Sequence, residues 1–212
     1  MDVFRDRYKI CGAALVALAL ACALVPGPAR ADAPARFERL DGFVSPGTPA
    51  ELNKVGVLEI GAEDAPNILV LNPGTSASAA YFAPLARTIV ARAPRWQVWA
   101  VERRENQLED HSVLDRGKAG TASGREVFDY YLGWLADPSV SEHFQLIPDA
   151  DVAYARAWGM NVEIEDLRRV VLLAKSRAQH VVVGGHSLGG SITTAYATWD
   201  FDGVPGAVGL DG

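Results

Sequence analysis

The sequence predicts an α/β domain built on a doubly wound, mostly parallel sheet. Three observations carry that prediction. Ile68-Leu69-Val70-Leu71 and Val181-Val182-Val183 are short, wholly apolar runs, as expected of strands covered on both faces. Strand-like runs alternate with helix-period stretches through short connections, the pattern of parallel strands joined by right-handed crossovers. The Val181 run also passes through Gly184-Gly185-His186-Ser187-Leu188-Gly189-Gly190 into the helix-forming stretch Ser191 to Ala197. A Gly-x-Ser-x-Gly pattern therefore stands at a strand-turn-helix junction.

The elements follow in chain order. Arg5, Arg7 and Lys9 precede an uncharged apolar run, Ile10 to Val25, which ends at Pro26 and Pro28 before Ala29-Arg30-Ala31. A positive start, a short apolar centre and a small-x-small site predict a secretory signal peptide over 1–31, cleaved after Ala31. The apolar run is shorter than the ~20 residues that a membrane span requires. Both cysteines, Cys11 and Cys22, fall inside this leader, and Ala19-Leu20-Ala21-Cys22 loosely resembles a lipoprotein-processing site. Cleavage after Ala31 leaves a domain without cysteine, stabilised by packing rather than disulfides.

Residues 32–54 are rich in Ala, Pro and Gly and are expected to form a linker or irregular lead-in. Strands are predicted at Val55 to Ile60, Ile68 to Leu71, Trp96 to Val101 and Val181 onwards. Between the second and third, Phe82, Leu85, Ala86, Ile89 and Val90 recur at helical spacing, with Pro84 in the first turn. A second stripe, Ile164, Leu167, Val170, Val171 and Ala174, predicts the helix before the Val181 strand, with Lys175 and Arg177 suited to its C-terminal dipole. Residues 108–159 read as an insertion packed over the sheet. It holds an aromatic helix from Arg125 to Ala136 (Phe128, Tyr131, Trp134, Leu135) and a short one from Ala150 to Trp158. Its aromatics are expected in the core, with a pocket lining as the alternative. Asp202 to Gly206 reads as a turn.

Composition bounds the function. The chain has 212 residues, 49 % apolar and 22 % charged, as for an ordinary globular domain. A net charge of −6 provides no basic field for nucleic acid or an anionic membrane. Contact with a membrane is expected only through the leader or a lipid on Cys22. No metal-ligand spacing or dinucleotide fingerprint occurs, so no metal and no cofactor are implied. A phosphate-binding loop fails as well, because Gly185-x4-Gly190 is followed by Ser191 and Ile192 where Lys and Ser/Thr are needed.

The Gly-x-Ser-x-Gly residues suit nucleophilic chemistry. A serine at the tip of a strained turn exposes its hydroxyl, and side chains two positions either side would collide with strand or helix. Gly185 and Gly189 occupy those positions. Gly185-His186-Ser187-Leu188-Gly189-Gly190 resembles the nucleophile elbow of lipases and esterases in the α/β-hydrolase superfamily. Ile68 to Ser76 is similar to the strand and loop that supply the other half of the oxyanion hole there.

The resemblance implies a partial α/β-hydrolase fold over 55–212, lacking its last strands and helices. It implies Ser187 as nucleophile, with the backbone N–H groups of Leu188 and Thr75 facing the developing oxyanion. Thr75 also reads as an ordinary turn threonine after Pro73-Gly74. The implied substrate is a small-molecule ester or lipid-like compound, met in a secreted or periplasmic (cell-envelope) location. The superfamily's chain order is Ser, then acid, then His. None of His111, His143, His180 and His186 occupies the expected place, whereas Asp211 follows Ser187 in the order expected of the acid. Three readings follow: a truncated exported serine hydrolase, a non-catalytic exported binding protein that keeps the pocket, or an inactive fragment. Without a base the serine stays a poor nucleophile, so negligible turnover of short p-nitrophenyl esters is expected.

Overall fold

The computed structural model describes residues 33–201 and 204–205. The predicted leader, Cys11, Cys22 and Asp211 lie outside the described residues. The compact unit begins at Ala33. Five strands form its sheet: β1 (Ala35–Asp41), β2 (Lys54–Ile60), β3 (Asn67–Asn72), β4 (Trp96–Glu102) and β5 (His180–Gly185), in spatial order β1-β2-β4-β3-β5. β3 runs parallel to both β4 and β5, whereas β2 is antiparallel to β1 and β4. Four strands thus share one direction, and the Val55 to Ile60 strand is the reversed one.

The lead-in expected over 32–54 is corrected. Ala35–Asp41 is an edge strand in register with β2, from Ala35↔Ile60 to Asp41↔Lys54. Its Arg36, Glu38, Arg39 and Asp41 hide it from a hydrophobicity reading, yet charges on an edge are how sheets discourage unwanted pairing. Phe37 covers Gly56, where a Cβ would stand 2.7 Å from the Phe37 ring.

Helices cover both faces of the central strands, but the expectation that the Val181 run is covered on both faces is corrected: β5 lies at the end of the strand order and Val182 is 47 % exposed. On one face α1 (Ala83–Arg92) buries Ala86 and Val90, and with Phe82 these pack on Ile60, Leu71, Val98 and Ala100. Leu85, expected in that stripe, is exposed instead. Pro84 falls in the first turn, where its missing N–H leaves no intrahelical bond unmade. On the other face α4 (Met160–Arg177) buries the whole predicted stripe, Ile164, Leu167, Val170, Val171 and Ala174, against Val55, Val57, Val70, Trp99 and Val101. Arg177 in its last turn donates to the buried Glu59 at 3.0 Å and lies over the Trp99 ring. Beside α4 lies α5 (Leu188–Thr198), which buries Ile192 and Tyr196.

The insertion differs from its expected form. It contains α2 (Ser112–Lys118), which the sequence reading missed, and α3 (Gly124–Tyr131), followed by 3₁₀ turns at Gly133–Leu135 and Ala153–Ala157. α3 opens on a capping box: Ser123 Oγ accepts the Glu126 N–H, and the Glu126 carboxylate accepts the Ser123 N–H. The expectation of core aromatics is corrected. Phe128 and Leu135 are exposed, while Tyr131 and Trp134 stack locally on Phe144 and His143. α3 buries none of its residues, and Leu132 beyond it is exposed as well. Asp200–Phe201 pairs antiparallel with Val204–Pro205; Asp202, Gly203 and Gly206 of the predicted turn lie outside the described residues.

Candidate active site

Ser187 lies where β5 ends and α5 begins, with φ 54° and ψ −122°. Among the described residues only Ser76 shares its positive φ without being glycine. Such a conformation costs of order 1–3 kcal/mol, and surrounding structure must impose it. Here the constraint is steric. A Cβ at Gly185 would stand 2.3 Å from the Gly189 carbonyl, and one at Gly189 would stand 2.0 Å from the Asn72 carbonyl oxygen. Strand, helix and the β3 loop therefore approach backbone to backbone, and the serine turns outward. Ser187 is exposed, and Leu188 is the first residue of α5. The Leu188 N–H is among the first-turn amides that an α-helix leaves without an internal acceptor, at its positive end.

The β3 loop meets this turn directly. The His186 N–H donates to Asn72 O at 3.1 Å, and a Cβ at Gly74 would lie 3.1 Å from Ser187 Cβ. Gly74 to Ala77 form a β-turn closed by Ala77 N–H donating to Gly74 O at 3.3 Å, with Ser76 at φ 55°. Thr75 is exposed within that turn, immediately after the residue in closest register with Ser187. Gly185, Ser187, Leu188 and Gly189 thus meet the β3 loop at the C-terminal ends of β3 and β5, the approach being at Gly74, and Thr75 is the next residue of that loop.

The histidines do not converge there as partners of the serine. His186 stacks on Tyr81, with ring centroids 5.4 Å apart. His111 Nε2 lies 2.9 Å from Glu109 in an exposed pair. His143 stacks on Trp134 at 4.3 Å, and His180 opens β5 at the end opposite Ser187. Among the described residues, none of the four hydrogen-bonds Ser187.

Sequence reasoning missed the groups that hold the β3 loop. Immediately after β4, Arg103 is buried and donates Nη1 to Pro73 O at 2.5 Å and Nη2 to Gly74 O at 2.9 Å. Its Nε donates to Glu105 at 2.5 Å, and Glu163 of α4 lies 3.8 Å from the same nitrogen. Burial, reinforced by the neighbouring Glu105 charge, pushes the Glu163 carboxyl up to about 8. Glu102 accepts the Ala79 N–H, and Asn106 Nδ2 donates to Ala77 O at 3.4 Å. The signal available in the sequence was a charged run, 102–105, placed directly after a buried strand.

Among the described residues, no group of three or more His, Cys, Asp and Glu side chains is placed to hold a metal, and no helix is long and apolar enough to cross a membrane. No family model and no curated protein sequence matches the chain. Solved structures do. A structure titled "putative lipase" from Sulfolobus solfataricus superposes with a TM-score of 0.51 at 13 % identity, covering 77 % of this chain and 40 % of that one. An epoxide hydrolase from an endophytic Streptomyces aligns at 16 % identity and a TM-score of 0.39, over 77 % of this chain and 33 % of that one. The chain thus spans well under half the length of either structure. The first superposition, over a mostly parallel sheet with flanking helices, shows that the chain has, in part, the α/β-hydrolase fold.

Proposed function

We propose that this chain carries the nucleophile and oxyanion side of an exported serine hydrolase acting on carboxylic esters. The supporting observation is Ser187 itself, held at φ 54° on a turn where two glycine contacts leave no room for a side chain. Export follows from the leader predicted over 1–31. In the proposed reaction Ser187 Oγ bonds to the ester carbonyl carbon as its proton passes to a base. The carbonyl oxygen becomes an oxyanion facing the Leu188 and Thr75 amides. On collapse the bond to the alcohol oxygen breaks and the alcohol leaves with that proton; water then attacks the acyl-serine, releasing the carboxylic acid and restoring the Ser187 hydroxyl. Each such donor is typically worth ~2.7–4 kcal/mol in the transition state.

The described residues supply the first half of this chemistry, the placed hydroxyl, and no histidine that pairs with it. That observation favours a second reading, a binding protein that retains the pocket without turnover. Stoichiometric labelling separates the two readings. With a fluorophosphonate, peptide mass mapping is expected to place one phosphonyl group on Ser187 and none on the Ser187→Ala variant. Wild-type protein left unlabelled under conditions that label an active esterase would favour the binding reading.

A further inference from the structure

We propose that Arg103 is a positioning residue, which holds the Pro73-Gly74 carbonyls so that the oxyanion loop is seated against Ser187. The inference rests on the hydrolase reading for its catalytic consequence, though not for its geometry.

The loop from Pro73 to Ala79 is tied from one side by residues that directly follow or end β4. Arg103 takes the carbonyls of Pro73 and Gly74, Asn106 takes that of Ala77, and Glu102 accepts the Ala79 N–H. On its other side the segment meets the serine turn, through Gly74 against Ser187 and through Tyr81 stacked on His186. Of Glu102, Arg103 and Asn106, it is Arg103 that acts at Gly74, where the loop approaches Ser187. A guanidinium presents its donors in a fixed planar fork, so two bonds to successive carbonyls fix both the position and the orientation of the peptide between them. The Gly74 carbonyl and the Thr75 N–H belong to one planar peptide, so the bond to Gly74 O also fixes the direction of the Thr75 N–H.

The arrangement is also costly to build without a purpose at the loop. Arg103 is nearly solvent-free, and its charge is met by Glu105 at 2.5 Å, with Glu163 at 3.8 Å. The neighbouring Arg104 takes Asp166 as its own partner at 2.7 Å. Carboxylates therefore neutralise both arginines, while the two Nη groups of Arg103 remain free for the loop. A lysine at 103 retains the charge and loses the fork.

Two measurements on the full chain test the inference, using Arg103→Lys and, should that variant fold poorly, Glu105→Gln, which leaves the carbonyl bonds in place but removes the negative charge facing Nε. The first is amide hydrogen exchange. Arg103→Lys is expected to speed exchange in 73–79 and 186–188 by about tenfold or more while the central strands keep their protection, as for a local opening. Glu105→Gln is expected to show a smaller rise confined to the same segments. The second is the fluorophosphonate rate at Ser187, expected to fall by about 10–100-fold in Arg103→Lys, the scale of a small misplacement near the reacting atoms. Unchanged exchange in 73–79, or a uniform rise across the whole sheet, overturns the inference. Raised loop exchange with an unchanged labelling rate also overturns it, since the clamp would then be purely structural. Should wild-type Ser187 fail to label at all, the hydrolase reading fails, and the exchange pattern alone decides whether Arg103 seats the loop.

Discussion

Gly189 and Asn72 meet so closely that a Cβ on the glycine would stand 2.0 Å from the Asn72 carbonyl oxygen. The neighbouring Gly190 has ordinary space, its nearest contact being Gly185 O at 3.5 Å. Two adjacent glycines in the first turn of α5 therefore answer to different constraints. Gly189→Ala is expected to destabilise the domain by roughly 3 kcal/mol or more, because backbone must move in both segments. Gly190→Ala is expected to be neutral or stabilising by up to about 1 kcal/mol, from helix propensity alone. Chemical denaturation of the two variants checks the pair, and equal losses would contradict the close approach.

Ser187 stores strain that glycine would not. At φ 54° and ψ −122°, Ser187→Gly is expected to raise stability by about 1 kcal/mol while removing the hydroxyl that reacts with a fluorophosphonate. A shift in denaturation midpoint towards lower stability would show that the turn imposes no such cost.

Glu163 makes stability depend on pH with a definite sign. Its carboxyl titrates near 4.5 in the unfolded chain and near 8 in the folded one. Between those values the folded protein keeps a proton that the unfolded chain releases, so stability falls as pH rises through the window. Glu163→Gln removes this cost and is expected to flatten the pH dependence there, with a gain on the order of a few kcal/mol near pH 8. Denaturation curves at several pH values test it, and an unchanged slope would remove Glu163 as the cause.

Arg104 and Asp166 form a buried pair that fastens the segment after β1 to α4. Asp166 also accepts the Phe43 N–H at 2.7 Å, and Arg104 donates to Asn53 and to Phe43 O. Arg104→Met leaves a buried carboxylate without its cation and is expected to cost about 3–5 kcal/mol. The double variant Arg104→Met/Asp166→Leu is expected to recover part of that loss, though not all, since the Phe43 N–H keeps no partner. A double variant less stable than the single one would contradict this account.

The elbow was legible in the sequence because its two demands, a β-branched strand and glycines at fixed offsets from a serine, are both local. The buried stripes of α1 and α4 were legible for the same reason, apart from Leu85. β1 was not, because Ala35–Asp41 draws its conformation from pairing with β2 rather than from its own apolar residues. The reversal of β2 was equally hidden, since a strand buried on both faces reads the same in either direction. Arg103 was not legible either, because it stands in a charged run, 102–105, that nothing local marks as buried. Its burial depends on Pro73, Glu105 and Glu163, and most of those contacts are remote in sequence. The insertion misled for another reason: Phe128 and Leu135 have core-like side chains, yet both are exposed, on α3 and on the 3₁₀ turn after it.

The central claim is that Ser187, Leu188 and Thr75 together form a site for a tetrahedral adduct. It is tested most directly by adding an arylboronic acid and following boron and backbone amide resonances. A tetrahedral boron signal that is lost in Ser187→Ala, with the largest amide shifts at Leu188 and Thr75, is the predicted result. Boron that stays trigonal, or a tetrahedral adduct whose amide shifts fall away from Leu188 and Thr75, would contradict it.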